Sequence, residues 1–180
     1  LRFDSGSSDS LTRSISGTNT TKLSISMWVK LANDLSDGNV LYASENNGGD
    51  YLFIDHSGDG KLGVQLQGTQ NRRITNRIFR DPSAWYNFVV VFDSTEATAD
   101  DRIKVYVNGQ QETSFSTNTT NMSQNSNLSP LDATLTYAVG AYPSQSSSFI
   151  LDGYMSEMVV VYGQALTPSS FGAFNPVTNI

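Results

Sequence analysis

The segment from residue 81 to residue 109 contains two apolar runs that constrain the fold more than any other part of the chain. Residues 86–92, YNFVVVF, are β-branched and aromatic and too few for a typical helix, which indicates a buried strand. Residues 103–107, IKVYV, alternate apolar and polar side chains with the period of a half-buried strand. Asn108 and Gly109 then supply the positive φ angles that a tight turn needs. The segment therefore predicts two antiparallel strands joined by a polar acidic loop.

Similar short strands recur along the chain. Residues 23–31, LSISMWVKL, alternate most regularly and place Trp28 on the face opposite the apolar side chains. Residues 72–79 alternate as well, with Arg73 and Arg77 on one face. About a dozen short strands, separated by turn signals every 8–12 residues, predict an all-β fold, a two-sheet antiparallel jelly-roll sandwich.

Composition excludes several classes of protein. The 180 residues suit one domain, so we expect residues 1–180 to form a single domain; because the first residue is Leu1, we also expect it to be part of a longer chain. The absence of cysteine excludes disulfides, thiolate zinc sites and cysteine nucleophiles. Eleven Lys and Arg against seventeen Asp and Glu give a net charge of −6, which argues against a nucleic-acid partner. No apolar run approaches the length of a membrane-spanning helix, so no membrane insertion is expected.

Three further features have local interpretations. Residues 113–130 are rich in Ser, Thr and Asn, which predicts a long loop that is either functional or weakly ordered. His56, the only histidine, lies beside turn residues and is predicted to be a solvated loop residue. Thr167 and Pro168 predict the cap and first position of one helical turn.

Five segments occur in an order that resembles a known family: SISMWVK, WYNFVVVFD, KVYVNG, VGAY and LDGYMSEMVVVYGQALTPSSFG. They resemble laminin-G-like, concanavalin A-like lectin and glucanase jelly-roll domains over residues 1–174. The resemblance implies that residues 1–4 pair beside residues 158–162. The last thirty residues resemble versions found in structural proteins of tailed phages, especially marine ones.

The resemblance implies a non-catalytic surface binding or decoration module of a phage virion structural protein, such as a head decoration, fibre or tail part. It implies glycans or the host cell surface as partners, together with neighbouring virion proteins, in a multi-copy assembly. The implied location is the virion surface; a secreted or cell-surface protein is the alternative. A purely architectural capsid or tail protein and a degenerate glycoside hydrolase are the alternative functions.

Catalysis has little support in the sequence. Retaining glycoside hydrolases hold two carboxylates about 5–5.5 Å apart. The hydrolase branch of the family places them in a Glu-x-Asp-x-x-Glu pattern, which this chain lacks. The nearest pair, Asp152 and Glu157, is five residues apart and therefore falls on opposite faces of a regular strand. We expect no enzymatic activity.

Glycan sites on β-sandwiches combine an aromatic face with side chains that hydrogen-bond sugar hydroxyls. Trp28 and Tyr106 lie on the faces opposite the predicted core, although Trp28 has the alternative of packing beneath a loop. The candidate glycan-binding residues are Trp28, Tyr106, Arg73, Arg77, Tyr51, Asn47 and Tyr142. The two arginines are expected to line the same sheet as the aromatic residues, and the last three to lie in or near loops at the rim.

The resemblance also implies calcium at a sheet rim, since laminin-G-like domains often bind it there. By position, Asp50 resembles the family's aspartate before a strand, and Asp132 is a second candidate ligand. Calcium needs six to eight oxygen ligands, so several loops have to converge on it. The alternative is that Asp50 ends a polar turn and Asp132 caps a loop.

Overall fold

The structure is a computed structural model. It describes residues 1–15, 20–32, 39–45, 51–56, 59–66, 70–128, 135–143 and 149–173. Within these ranges, thirteen strands form two antiparallel sheets that pack face to face. The predicted all-β jelly-roll sandwich is confirmed. No helix in these ranges is long and apolar enough to cross a membrane.

One sheet has six strands in the order β1-β13-β3-β8-β9-β10. Its strands are β1 (Arg2–Phe3), β3 (Lys22–Leu31), β8 (Tyr86–Asp93), β9 (Ile103–Val107), β10 (Gln110–Gln111) and β13 (Gly153–Tyr162). The predicted turn at Asn108 and Gly109 joins β9 to β10, and φ is 49° and 78° at these two residues. Both angles lie in the left-handed region that Asn and Gly tolerate best.

The other sheet has seven described strands in the order β11-β7-β6-β5-β4-β12-β2. They are β2 (Leu11–Ile15), β4 (Asn39–Glu45), β5 (Tyr51–His56), β6 (Lys61–Leu66), β7 (Asn71–Ile78), β11 (Phe115–Thr120) and β12 (Leu135–Val139). Short 3₁₀ turns cover Ser5–Ser7, Ala99–Arg102 and Pro168–Ser170.

The core lies between the sheets and agrees with the predicted alternation. Leu23, Ile25, Met27 and Val29 of β3 are fully buried. The opposite face of the six-stranded sheet is buried as well at Ser24, Ser26, Val89 and Val91, which the alternation does not predict. A later part of the chain therefore covers that face.

The first strand pairs beside the last strand, but not where the resemblance implies. Arg2 lies opposite Tyr154 and Phe3 opposite Gly153, at the start of β13 and not at residues 158–162. Phe3 fixes this register, because its ring packs so closely on Gly140 that a Cβ atom there would lie 2.5 Å from it. The predicted position of β1 is wrong by about half the length of β13.

The polar tract at residues 113–130 is not one long loop. Phe115–Thr120 forms β11, which pairs with β7 at the edge of the seven-stranded sheet. Met122 and Leu128 are buried and anchor the chain after β11, and the amide of Leu128 donates to the Thr20 carbonyl at 2.8 Å. The strand has no apolar alternation, because an edge strand that lies largely in solvent needs none. Residues 129–130 lie outside the described residues.

His56 is buried, so its prediction as a solvated loop residue is wrong. It ends β5 opposite Asn39 and Leu62 and is 0% exposed. Its Nε2 atom lies 2.8 Å from the carbonyl oxygen of Phe79. Burial lowers the pKa of His56 below its ordinary value. The histidine is a packed core residue because the strand extends further than the turn signals suggest.

Candidate functional site

A row of three polar and aromatic side chains crosses the outer face of the six-stranded sheet. Trp28 of β3 lies opposite Asn87 of β8, and Asn87 lies beside Asn108 at the end of β9. The backbone amide of Asn87 donates to Oδ1 of Asn108 at 2.8 Å, and Nδ2 of Asn87 donates to the Met27 carbonyl at 3.4 Å. The row therefore offers one indole ring beside two side-chain amides held in fixed positions.

The chain after β13 folds back over this face and covers part of it. The amide of Gly163 donates to the Lys22 carbonyl at 2.9 Å. The hydroxyl of Ser24 donates to the Gln164 carbonyl and accepts from the Leu166 amide, both at 2.8 Å. We call residues 163–173 the covering segment. It explains why the small polar residues of β3 are buried although they point away from the core.

The covering segment contains the predicted helical turn. Pro168 is the first residue of the 3₁₀ turn Pro168–Ser170, as expected. Thr167 precedes this turn but makes no side-chain cap; its hydroxyl contacts the Ser169 hydroxyl at 2.8 Å. The predicted turn is confirmed and the predicted cap is wrong.

A cavity of about 350 Å³ lies between the row and the covering segment. Its floor is formed by Trp28, Asn87, Asn108 and Gly109. The opposite side of the cavity is formed by the end of the covering segment: Pro168, Ser169, Phe171, Gly172 and Ala173. We call this cavity the Trp28 groove. Its size and its combination of aromatic walls with a few polar groups are typical of small-ligand sites.

Tyr106 shares the outer face with Trp28 but not the groove. It lies one row further along the strands, where Ser26, Val89 and Tyr106 are paired in register. Two strand spacings and two residues separate it from Trp28, which is about 12 Å on a pleated sheet. It is partly buried and does not line the cavity. The two aromatic residues are on one face, as predicted, but a small ligand in the groove reaches only Trp28.

Arg73 and Arg77 lie on β7 in the seven-stranded sheet, so the prediction that they line the same sheet as Trp28 is wrong. Arg73 is 2% exposed and turns inward, where its Nη2 atom donates to the Asp100 carbonyl at 3.0 Å. Its guanidinium carbon lies 5.4 Å from the centre of the Phe115 ring, and burial lowers its pKa.

The exposed Arg77 contacts a different ring, with its guanidinium carbon 5.3 Å from the centre of the Phe79 ring. In contrast to Arg77, Arg73 is an interior side chain, and its hydrogen bond to Asp100 joins β7 to the 3₁₀ turn Ala99–Arg102. Alternation alone did not show which face of β7 points inward, because each face carries an arginine.

The remaining predicted site residues fall at the edge of the described residues. Tyr51 is the first residue of β5, and its side chain is outside the described residues, as are Asn47, Asp50 and Asp132. Tyr142 lies after β12 and is partly buried. In the part of the chain that is described, no three Asp, Glu, His or Cys residues cluster closely enough to hold a metal ion. The calcium prediction is therefore untested.

The carboxylate pair Asp152 and Glu157 does not occupy a regular strand. Asp152 precedes β13, and its carbonyl accepts from the Ala32 amide at 2.8 Å. The register of β13 against β3 shifts between Ser156 and Val159, and Glu157 has a φ of 51°. Such a bulge adds one residue to the strand and redirects its side chains. Glu157 is exposed at an inter-sheet cleft, away from the Trp28 groove.

The outer face of the seven-stranded sheet carries a buried carboxyl group. Asp55 of β5 lies opposite Gly63 of β6, which leaves room for the carboxyl group because it has no side chain. Burial raises the pKa of Asp55 to about 6, although nearby Arg72 acts in the opposite direction. Oδ1 of Asp55 and Nε of Arg72 are both buried without hydrogen-bond partners.

The sequence patterns did not reveal Asn87, Asn108 and Phe171 as groove residues. A signal for Asn87 was present, because alternation through residues 86–92 places it on the face opposite Phe88 and level with Trp28. Asn108 was interpreted only as a turn residue. Nothing local connected Phe171 with Trp28, since the two are brought together by the covering segment.

Two antiparallel sheets in this strand order define a jelly-roll β-sandwich of the concanavalin A type. The chain belongs to the concanavalin A-like lectin/glucanases superfamily, whose Laminin_G_3 model matches residues 4–170. The resemblance of the sequence to laminin-G-like, concanavalin A-like domains is thereby confirmed. Comparison with curated protein sequences gives no match.

Solved structures with a similar fold have low sequence identity. The heptameric SAP-like pentraxin of Limulus polyphemus has a TM-score of 0.61 at 16% identity, covering 90% of this chain and 73% of that chain. Domains LG4-5 of the mouse laminin alpha1 chain have a TM-score of 0.62 at 13% identity, covering 92% of this chain and 44% of that chain.

The CBM40 of the Ruminococcus gnavus IT-sialidase has a TM-score of 0.56 at 14% identity, covering 89% of this chain and 96% of that chain. The same CBM40 was solved with alpha2,3 sialyllactose bound. At these identities the likeness establishes the fold and no more.

Proposed function

We propose that this protein is a non-catalytic glycan-binding module and that the Trp28 groove is its binding site. The observation that carries the proposal is the juxtaposition of a half-buried indole ring with the side-chain amides of Asn87 and Asn108 in a cavity of sugar size. The ring offers a flat apolar surface to the C–H groups of a sugar. The amides supply both donors and acceptors for its hydroxyls.

The shape of the groove limits the glycan to a short segment. A volume of about 350 Å³ is near the lower end of small-ligand sites and accommodates one or two sugar rings. Phe171 faces the cavity from the covering segment, so that a ring on Trp28 has an aromatic residue on two sides. We therefore propose recognition of a terminal mono- or disaccharide and not of a long polysaccharide face. The solved neighbour with sialyllactose bound is consistent with a terminal sugar.

The test is binding of the protein to a glycan array, followed by calorimetry with the best glycan. Trp28→Ala is expected to weaken binding by about tenfold or more, because a central aromatic contact is lost. Phe171→Ala should weaken glycan binding as well, although Phe171 belongs to the covering segment and not to the sheet. Trp85→Ala is the matched control, because Trp85 is 39% exposed and lies outside the groove. The proposal would be overturned if Trp28→Ala and Phe171→Ala weakened binding no more than Trp85→Ala does. It would also be overturned if no glycan on the array bound the protein.

Calcium binding by Asp50 and Asp132 remains a proposal. The array is therefore run with calcium and again with EDTA. Binding that survives EDTA supports the Trp28 groove, whereas binding abolished by EDTA would move the site to these two aspartates. The absence of catalysis is tested separately: reducing-sugar release that disappears in Asp152→Asn or Glu157→Gln would show a hydrolase.

We further propose that the module acts on a virion surface, in several copies, against host glycans and neighbouring virion proteins. Support comes from the resemblance of the last thirty residues to versions found in structural proteins of tailed phages.

An architectural role is the second candidate. It is favoured by the exposed Tyr154 and Val159 of β13, which are 42% and 43% exposed and suit a protein contact. Mixed assembly assays with Tyr154→Ser and Val159→Ser separate the two roles, since neither residue lines the groove.

A further inference from the structure

A second and larger cavity lies between the two sheets, whereas the Trp28 groove lies on the outer face of the six-stranded sheet. It has a volume of about 600 Å³, within the range of small-molecule sites. One wall is the inward face of β13, including Met158, Val160 and Tyr162. The other is formed by β2, β12 and β4 of the seven-stranded sheet. The side chains of the described residues thus leave the space between the sheets open along this edge.

Three tyrosine rings line this cavity, which we call the tyrosine cleft. Tyr42 and Tyr137 stack with their ring centres 5.9 Å apart, and Tyr162 meets Tyr137 edge-on at 6.5 Å. The hydroxyl group of Tyr162 is buried and interacts with those of Tyr42 and Tyr137. The three hydroxyls therefore form one polar cluster in an otherwise apolar cavity, where an oxygen-bearing ligand can exchange hydrogen bonds with them.

The hydroxyls of Tyr42 and Tyr137 stay protonated at physiological pH and can therefore donate hydrogen bonds. Burial raises the pKa of Tyr42 and of Tyr137 well above the ordinary tyrosine value. An oxygen acceptor is therefore the group that best satisfies them. The apolar side chains Val139, Met158 and Val160 line the rest of the cleft and favour an apolar body on the same molecule.

A positively charged side chain lines the same cavity. Arg13 of β2 is directly opposite Tyr137 of β12, lines the cavity and is exposed. Among the described residues, no carboxylate lies within ion-pair distance of Arg13. Because a guanidinium forms paired hydrogen bonds with a carboxylate, charge complementarity favours an anionic oxygen group here. The bulge that contains Glu157 lies at the same cavity and shifts the register of β13 beside it.

We propose that the tyrosine cleft binds a small amphipathic carboxylate, whose apolar body packs between the tyrosines and Val160 and whose oxygens accept hydrogen bonds from Tyr162 and Arg13. This site is separate from the Trp28 groove and shares no lining residue with it. The proposal stands or falls independently of glycan binding.

The test uses decanoate as the probe and decanamide as the neutral control, each titrated into the full chain by calorimetry. Decanoate is expected to bind more tightly than decanamide. Arg13→Gln should weaken decanoate binding by about tenfold and leave decanamide unchanged, because one charge-assisted contact is lost. Arg13 is exposed, so this variant keeps its fold. Val160→Phe, which fills the cleft, should abolish binding of both molecules.

Two further variants separate the site from alternatives. Tyr162→Phe should weaken decanoate binding while leaving the volume of the cleft almost unchanged. Trp28→Ala should have no effect, since it alters only the groove. Failure of decanoate to bind at millimolar concentration would overturn the proposal. Binding that is indifferent to both Arg13→Gln and Val160→Phe would overturn it too, because the probe would then sit elsewhere.

Discussion

Nη1 of Arg102 donates to the carbonyl oxygen of Met122 at 2.7 Å, joining the loop before β9 to the segment after β11. The same guanidinium donates through Nε to Glu96 and through Nη2 to Ala97, at 2.9 and 3.0 Å. The side chain is nearly buried and satisfies three backbone carbonyls at once. One residue therefore holds two polar segments against the core.

Arg102→Ala should lower the free energy of unfolding by about 2–4 kcal/mol, because one buried and two partly buried carbonyls lose their donor. Arg102→Lys should recover only part of this loss, since an ammonium does not reproduce the planar fork. Urea unfolding measures both. The control is Arg2→Ala, whose exposed contact with Asp4 is 3.8 Å long and should change stability by less than about 0.5 kcal/mol. Equal effects for Arg102→Ala and Arg2→Ala would contradict this role.

Asp55 should make stability depend on pH in a direction opposite to most carboxylates. Its pKa in the folded protein is about 6, above the ordinary value near 4, so the folded state holds the proton more tightly. The contribution is complete below pH 4 and is lost as the pH rises through 6, a change of about 3 kcal/mol. The unfolding free energy of the wild type should therefore fall by about 3 kcal/mol relative to that of Asp55→Asn between pH 4 and pH 8.

The difference between the two proteins isolates Asp55. The lowered pKa of His56 acts with the opposite sign, since its neutral form loses its advantage as the pH falls through the unfolded value. That contribution is present in both proteins and cancels in the difference. A difference that stays constant over this range would show that the Asp55 carboxyl group is not buried.

Gly63→Ala should be destabilising because of its cross-strand neighbour. A Cβ atom at residue 63 would collide with Oδ1 of Asp55. We expect a loss of about 1–3 kcal/mol, measured by urea unfolding. In an Asp55→Ala background the same change should cost much less, since the clashing carboxyl group is gone. Gly172→Ala is the control, because no heavy atom lies within 4 Å of a Cβ there.

The two tryptophans allow the groove to be observed directly. Trp28 is half-buried beneath the covering segment, while Trp85 is 39% exposed. Trp85→Phe should therefore leave a protein whose emission is blue-shifted and changes when a glycan is added. Trp28→Phe should leave emission that is red-shifted and insensitive to the glycan. The reverse pattern in a fluorescence titration would place the ligand beside Trp85.

The inward faces of the central strands were predictable from sequence because each residue's direction is set by its own strand. Leu23, Ile25 and Met27 are buried as the alternation requires. β7 was harder, since arginines occupy both of its faces and the partner of the buried Arg73, Asp100, lies far along the chain. β11 carried no apolar pattern at all. Its existence depends on the edge of β7 being available for pairing.

The candidate site was predictable only in part, for a related reason. Trp28 was identified from its face on β3. The hydrogen bond between Ser24 and Leu166 that closes the groove joins residues 142 positions apart. No local pattern encodes a contact of that separation. The tyrosine cleft was missed entirely, because Tyr42, Tyr137 and Tyr162 belong to three strands in two sheets and meet only in the folded chain.

The covering segment also makes the affinity for a glycan depend on the fraction of molecules in which the groove is fully formed. One wall of the Trp28 groove belongs to a central strand, whereas the other is held by a few hydrogen bonds at Gly163, Gln164 and Leu166. The second wall should open at a lower free energy than the sheet. The apparent dissociation constant should then equal the intrinsic one divided by the fraction of molecules with the segment in place. A glycan that bridges the two walls therefore slows hydrogen exchange at the amide of Leu166, a residue that it does not touch.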